Sequence, residues 1–499
     1  MAASTYTPQL ARPNLNVFGP GGAWDSSAAA SPLNSLGYRM TILYVVLLVG
    51  RVPEITAAFL GTALYQIVVV TLMLLALSII TGSLFKAVSN RIGKMWLGFH
   101  LWIVLTLPFS GWKRGSLDSL TGLITLAPAI VFLGGFFIQS RDRLRRGLWA
   151  VAWAGVIGFA WILSTGTSGD DERFASVGTF GNANYVAIYL LIMTPLWAFI
   201  ARNGRYRWFT RIAFGAIIIG ALFATVRTGS RSGTLTLGLL FLMVFFSASI
   251  VDRFKLVVLG FAVSVAVLAW MPDTMKQRVG TIFGGRAMND VALSAVGSTE
   301  SRLALLEESI DATIKHPLVG VGIGVYSAVN AGEKHNTGEQ VRWQVSHNMY
   351  TQVSSETGIP GFLLYMTALF LSIKEVWKIR RAARDRPELR ELGMIASSVL
   401  ASLLVFCFNG LFTSMASDFM AYVLAGLALA TVLVSQEASR RTTEPAEISA
   451  TPPIRSPRFF PAASPEARPA AALADPAPVD QASGEPWRRN PRKYPPKTR

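Results

Sequence analysis

Residues 183–201 read ANYVAIYLLIMTPLWAFIA, nineteen residues without a charged side chain. At about 1.5 Å per residue a helix of that length reaches roughly 30 Å, the depth of a bilayer's hydrocarbon core. The signature recurs on both sides. Further apolar runs lie near 37–52, 61–82, 95–109, 118–138, 147–165, 210–226, 232–250, 254–271, 359–374, 392–412 and 416–435. Lipid offers peptide groups no hydrogen-bond partner, so each run is read as a helix. The chain is then an all-α polytopic integral membrane protein with about twelve spans. The runs at 37–52 and 95–109 are short for a ~20-residue crossing and fit tilted or partial helices.

Composition agrees. Of 499 residues, 52% are hydrophobic and 15% charged, against ~25% charged in soluble domains. The net charge of +17 raises nucleic acid as a partner, but its placement excludes it. With the N-terminus in the cytoplasm, the inside loops carry Lys86, Arg91 and Lys94, then Arg141, Arg143, Arg145 and Arg146. Arg202, Arg205, Arg207 and Arg211 follow, then Arg253 and Lys255, then the cluster from Lys374 to Arg390. The outside loops hold few basic residues, mainly Lys113, Arg114, and Arg173 beside Asp170, Asp171 and Glu172. That alternation orients the chain with both termini cytoplasmic.

Five segments follow: a polar cytoplasmic N-terminus (1–36), a transmembrane bundle of about nine spans (37–271), a large periplasmic loop (272–358), three C-terminal spans (359–435), and a tail (436–499). The tail is Pro/Ala-rich and basic, with the composition of a disordered segment suited to anionic lipid. No signal peptide is legible in 1–35, so the first apolar helix is expected to remain as an anchor. The single cysteine, Cys407, lies within an apolar run and allows no intramolecular disulfide.

Against this background the polar stretch RWQVSHNMYTQVSSETGIPG (342–361) stands out. His347 is one of four histidines, followed by Asn348, Tyr350, Gln352 and Glu356. An imidazole near its pKa of ~6.5 can take a proton from a hydroxyl; the plainer reading is a surface or capping histidine. If 347–357 is an interfacial helix, His347, Tyr350 and Thr351 share one face. Glu356 orients partners, fixes the loop, or is a solvated helix charge.

The turn RTGSRSG (227–233) places Arg227 and Arg231 on the outside, against the orientation rule. Headgroup snorkelling is one explanation. Phosphate binding is the sharper one, because small residues permit close approach and guanidinium forks grip phosphate oxygens. Residues 299–316 (TESRLALLEESIDATIKH) set Leu303, Leu306, Ile310 and Ile314 at helical spacing with acids opposite. Ser301-Arg302 opens that predicted helix, as a functional pair or as its start. GVGIGVY (320–326) is a Gly-rich bend without the spacing of a Walker or Rossmann loop. In GTFGNANYVA (178–187), Asn182 and Asn184 cap the next span or contact a sugar or phosphate. No metal-ligand spacing is visible.

These motifs carry a resemblance. A multi-span chain with GSRSG at an outer helix end, then ESR, HPLVGVGIGVY and SHNMYTQVSSETGIPGFLLY in a late loop resembles the O-antigen ligase and Wzy-type polymerase superfamily over roughly 170–435. The resemblance implies an inverting, metal-independent glycosyltransferase of the bacterial inner membrane that needs no cofactor. Its donor would be an undecaprenyl-diphosphate-linked glycan, its acceptor a lipid A core sugar, and its site would face the periplasm. The essential histidine maps onto His347. The diphosphate-binding arginines map onto Arg231 and Arg227, and Arg302 fits the arginine ahead of the HPL motif. Asn348, Tyr350, Glu356, Asn182 and Asn184 are the supporting candidates. A growing glycan (polymerase) or a protein side chain (O-oligosaccharyltransferase) are alternative acceptors. A glycan flippase, which predicts charges near the bilayer centre, and a non-catalytic scaffold are readings of different kinds.

Overall fold

The computed structural model describes residues 31–60, 65–136, 140–168, 173–204, 207–270, 276, 290–336 and 343–443. Most of the expected N-terminal segment, Asp170 to Glu172, Arg205, the start of the long loop and nearly all of the tail lie outside the described residues.

The described residues are helical almost throughout. In order the helices are α1 (Pro32–Val49), α2 (Val52–Leu60), α3 (Tyr65–Ile80), α4 (Ser83–Ser89), α5 (Arg91–Thr106), α6 (Lys113–Leu126), α7 (Ala129–Phe136) and α8 (Arg141–Thr165). A two-stranded antiparallel hairpin, β1 (Thr167–Ser168) with β2 (Phe174–Ala175), interrupts the helical pattern. Then come α9 (Ala183–Asn203), α10 (Arg207–Arg227), α11 (Arg231–Ser247), α12 (Ile250–Trp270), α13 (Asp290–Lys315), α14 (Tyr326–Asn336), α15 (Met349–Ala382), α16 (Arg390–Asn409) and α17 (Phe419–Thr443).

Among the described residues nine helices are long and apolar enough to cross a membrane, or ten if α3 and α4, bent by 82°, form one broken span. The expectation of about twelve exceeds this count. The difference falls on 231–270, where α11 is an apolar helix of only 17 residues and α12 opens with Asp252, Arg253 and Lys255.

Lipid is as apolar as leucine, so close packing and interhelical hydrogen bonds hold spans together. Both are concentrated on α9. A Cβ at Gly155 or Gly158 of α8 would lie 2.2 Å from Met193 or from the Tyr189 hydroxyl, so these glycines let the two helices touch. Trp197 Nε1 donates to the Ala152 carbonyl (2.9 Å), and Ser402 donates to the Ile192 carbonyl (2.7 Å). α9 and α17 are the enclosed spans, 72% and 83% buried, whereas the α10 span is 28% buried and faces outward.

Chain direction sorts the ends of these helices. The end of α8, the start of α9, the end of α10 and the start of α11 meet at one end: Arg227 Nη2 reaches Ser168 Oγ (3.5 Å) and Ser230 donates to Asn184 Oδ1 (2.8 Å). At the opposite end Arg141 pairs with Glu391 (3.1 Å), joining the start of α8 to the start of α16. The basic clusters Arg141–Arg146 and Lys374–Arg390 belong to this second end.

Two expected boundaries move. The loop helix α13 begins by Asp290 rather than near 299, so Ser301 and Arg302 sit inside it. The span expected at 359–374 extends back to Met349 and is kinked at Gly358, which has φ 68° and ψ −179°. A Cβ there would meet the Leu318 carbonyl oxygen at 2.3 Å, so only glycine fits.

Candidate active site

Arg231 is set by its turn. α10 ends at Arg227, Gly229 takes a left-handed φ of 56°, and Ser230 caps α11 by accepting from Gly233 N (3.2 Å). Asn184 anchors that cap: its Oδ1 accepts from Ser230 Oγ (2.8 Å) and from Arg173 Nη2 (3.1 Å), while Arg173 Nε donates to the Thr228 carbonyl (2.9 Å). Asn182 is the N-cap of α9, accepting from Asn184 N at 2.8 Å. Asn184 therefore supports the turn, and Asn182 caps the helix that carries Asn184.

His347 is set by a second turn, 410–418, between α16 and α17. Asn348 caps α15, its Oδ1 accepting from Tyr350 N (2.9 Å) and Thr351 N (3.2 Å), and its Nδ2 donates to the Leu411 carbonyl (3.2 Å). The Ser346 and Ser414 hydroxyls lie 3.0 Å apart, and Met349 N donates to the Gly410 carbonyl (2.7 Å). Clamped on both sides, His347 adopts φ 51°. Few residues with a Cβ take that left-handed conformation, and such strain persists only where neighbours impose it.

The expected helical face of His347, Tyr350 and Thr351 is corrected accordingly. Asn348 is the cap, so His347 precedes the helix, and the Tyr350 hydroxyl turns away to donate to the Cys407 carbonyl (2.7 Å).

Glu356 is buried, and its Oε2 accepts from Gly324 N (2.9 Å). Its carbonyl accepts from Gly322 N (3.1 Å), and Gly111 N donates to the Val321 carbonyl (2.9 Å). GVGIGVY is thus wedged between α15 and the start of α6. Gly322 has φ 113°, and a Cβ on it would lie 2.2 Å from Ser110 Oγ. Glu356 thus holds the Gly-rich bend in place.

These supports bring Arg231 from α11, Arg302 from α13, and His347 and Asn348 from the clamped segment to the wall of one cavity of about 310 Å³. Ser301 helps place Arg302, donating to Gln344 Oε1 (3.2 Å) three residues before His347. Leu235, Leu306 and Phe412 give the cavity an apolar side. Its volume falls within the ~300–1,000 Å³ usual for small-molecule sites. Arg227 is exposed, turned to Ser168, and does not line the cavity; Asn182, Asn184, Tyr350 and Glu356 do not line it either.

Partial burial and the nearby Arg302 guanidinium both lower the His347 pKa below its ordinary value. The imidazole is therefore neutral at neutral pH and able to accept a proton. The arrangement combines a base with two cations across a hollow. Among the described residues no three His, Cys, Asp or Glu side chains converge as a metal site.

Arg173, Ser346 and Ser414 are supports that sequence reasoning missed. Arg173 carried a signal, as a further arginine among the loops expected to hold few; the two serines carried none.

Residues 215–366 match a family model described as O-antigen ligase. The matched stretch contains Arg231, Arg302, His347 and Asn348, and ends before Leu411 and Phe412. No curated protein matches the sequence.

Proposed function

We propose, from the premise that residues 215–366 form a domain of the O-antigen ligase and Wzy superfamily, that the chain is a glycosyltransferase whose active site is the His347 cavity. The donor is an undecaprenyl-diphosphate-linked glycan and the acceptor a hydroxyl of a lipid A core sugar. His347 takes the hydroxyl proton as the oxygen attacks the anomeric carbon from the face opposite the diphosphate. The anomeric C–O bond breaks with inversion, and undecaprenyl diphosphate leaves with the electron pair. Arg231 and Arg302 hold the charge that grows on the leaving oxygens, as fixed cations do where water is excluded. The step needs no metal and no cofactor. Arg227, turned to Ser168, has no part in this grip.

The observation that carries the reading is the shared cavity of one imidazole and two guanidinium groups from three distant segments. The cavity also lies at the helix ends opposite the basic clusters Arg141–Arg146 and Lys374–Arg390, which supports a periplasmic site on the inner membrane with cytoplasmic termini.

The test is removal of the protein from its cell, followed by separate measurement of lipid A-linked, free and protein-linked glycan. Loss of the lipid A-linked pool with accumulation of the lipid-diphosphate donor is expected. Shortened polymer or loss of protein-linked glycan would instead assign a polymerase or a protein O-oligosaccharyltransferase. An unchanged donor pool would favour a non-catalytic protein.

A further inference from the structure

The loop helix α13 has three faces, one more than a helix packed on its own protein needs. Leu305 and Ser309 are buried, 5% and 0% exposed, and Thr313 Oγ1 meets Ser354 Oγ of α15 at 2.8 Å. Ala304, Asp311 and Lys315 lie exposed along a polar face, with Asp311 and Lys315 paired at 2.7 Å. Between them runs an edge of exposed apolar side chains. Leu303, Ile310 and Ile314 are 57%, 44% and 71% exposed.

That edge continues past the end of the helix. Leu318, just beyond the helix, is 69% exposed, and its neighbour Pro317 accepts a hydrogen bond from Ile359 N (2.8 Å). Ile359 and Leu363, 47% and 57% exposed, begin the outward surface of α15, a helix long and apolar enough to cross a membrane. A series of exposed apolar side chains therefore leads from Ile359 and Leu363 through Leu318 to Ile314, Ile310 and Leu303. Its far end, Leu303, also lines the cavity.

We propose that α13 lies in the bilayer interface, with its Leu303–Ile310–Ile314 edge in the acyl layer and its Ala304–Asp311 face in water, so that the cavity opens among lipid headgroups. A helix with one charged and one apolar side rests in this plane, its apolar side sunk ~5–10 Å. The consequence for function is direct. It rests on the reading of this cavity as the glycan-transfer site: a lipid-borne substrate reaches Arg302 without leaving the membrane.

Depth measurement tests this without reference to transfer activity. Single nitroxides are placed through Ile310→Cys, Ile314→Cys, Ala304→Cys and Asp311→Cys in full-length Cys407→Ser protein, reconstituted in phosphatidylethanolamine–phosphatidylglycerol vesicles. If Cys407→Ser fails to accumulate, the native, part-buried Cys407 is retained and its signal subtracted. Labels at 310 and 314 should collide several-fold more with oxygen than with a nickel chelate, and labels at 304 and 311 the reverse. Chelate access at 310 and 314 equal to that at 304 would overturn the proposal. So would shielding from both probes with label–label broadening, which would assign the edge to a second copy of the chain.

Discussion

Ser230 donates a hydrogen bond to Asn184 Oδ1 at 2.8 Å, so the cap of the helix that begins with Arg231 is fixed by a side chain 46 positions earlier. The same oxygen accepts from Arg173 at 3.1 Å. Arg231 owes its place to this three-residue junction.

Asn184→Ala should therefore slow transfer while the protein still accumulates in the membrane. Loss of a charge-assisted support is expected to cost about 1.5–3 kcal/mol, roughly 10- to 100-fold in rate. Asn184→Asp, which keeps both acceptor contacts, should recover most activity. Transfer in membrane vesicles checks this, and equal activity of all three forms would leave Asn184 as a simple helix cap.

Arg231→Lys and Arg302→Lys should each lower transfer by about 10²–10³-fold, the magnitude seen when one fixed donor to a developing anion is lost. An ammonium keeps the charge but not the two-pronged grip. Arg227→Lys, outside the cavity, should stay within a few-fold of wild type. Donor-saturation kinetics on the three variants would separate these outcomes.

The pH profile should rise and then level. Burial and Arg302 depress the His347 pKa, so the neutral imidazole dominates down to below its ordinary ~6.5. Activity is expected to be full near neutrality and lost as pH falls through the depressed value. Arg302→Gln removes one of the two depressing causes and should move the acid limb to higher pH. A limb that stays in place would show that another group governs it.

Gly322→Ala should reduce the amount of folded protein, because residue 322 has φ 113° and a Cβ would lie 2.2 Å from Ser110 Oγ. A strained residue of this kind costs about 1–3 kcal/mol before the clash is counted. Thermal aggregation of the solubilised variant should begin several degrees lower. An unchanged onset would mean that the Gly-rich bend can relax.

How much of this was legible follows from what each signal measures. The uncharged run 183–201 announced a buried span because nothing but lipid or protein can surround it. RTGSRSG and SHNMY were legible as exceptions, polar groups in a chain that otherwise avoids them. Asn348, Asn182 and Asn184 were ambiguous because an amide that caps a helix and an amide that binds a sugar have the same composition. The left-handed turn at His347 was hidden, since it depends on Ser414, which lies 68 positions beyond its partner Ser346. The spacing of Leu303, Ile310 and Ile314 gave the helix but not its surroundings: periodicity marks an apolar side without saying whether protein or lipid covers it. Arg227 and Arg231 looked equivalent four residues apart, yet a helix ends at one and another begins at the other, sending them in different directions.

The most direct measurement is glycan transfer by purified His347→Ala in vesicles that contain lipid-diphosphate-linked glycan and lipid A core acceptor. Transfer should fall by at least the ~10²–10⁴-fold typical of a lost general base, with donor binding retained through Arg231 and Arg302. Transfer at the wild-type rate would contradict it, because the cavity would then do its chemistry without the imidazole around which it is arranged.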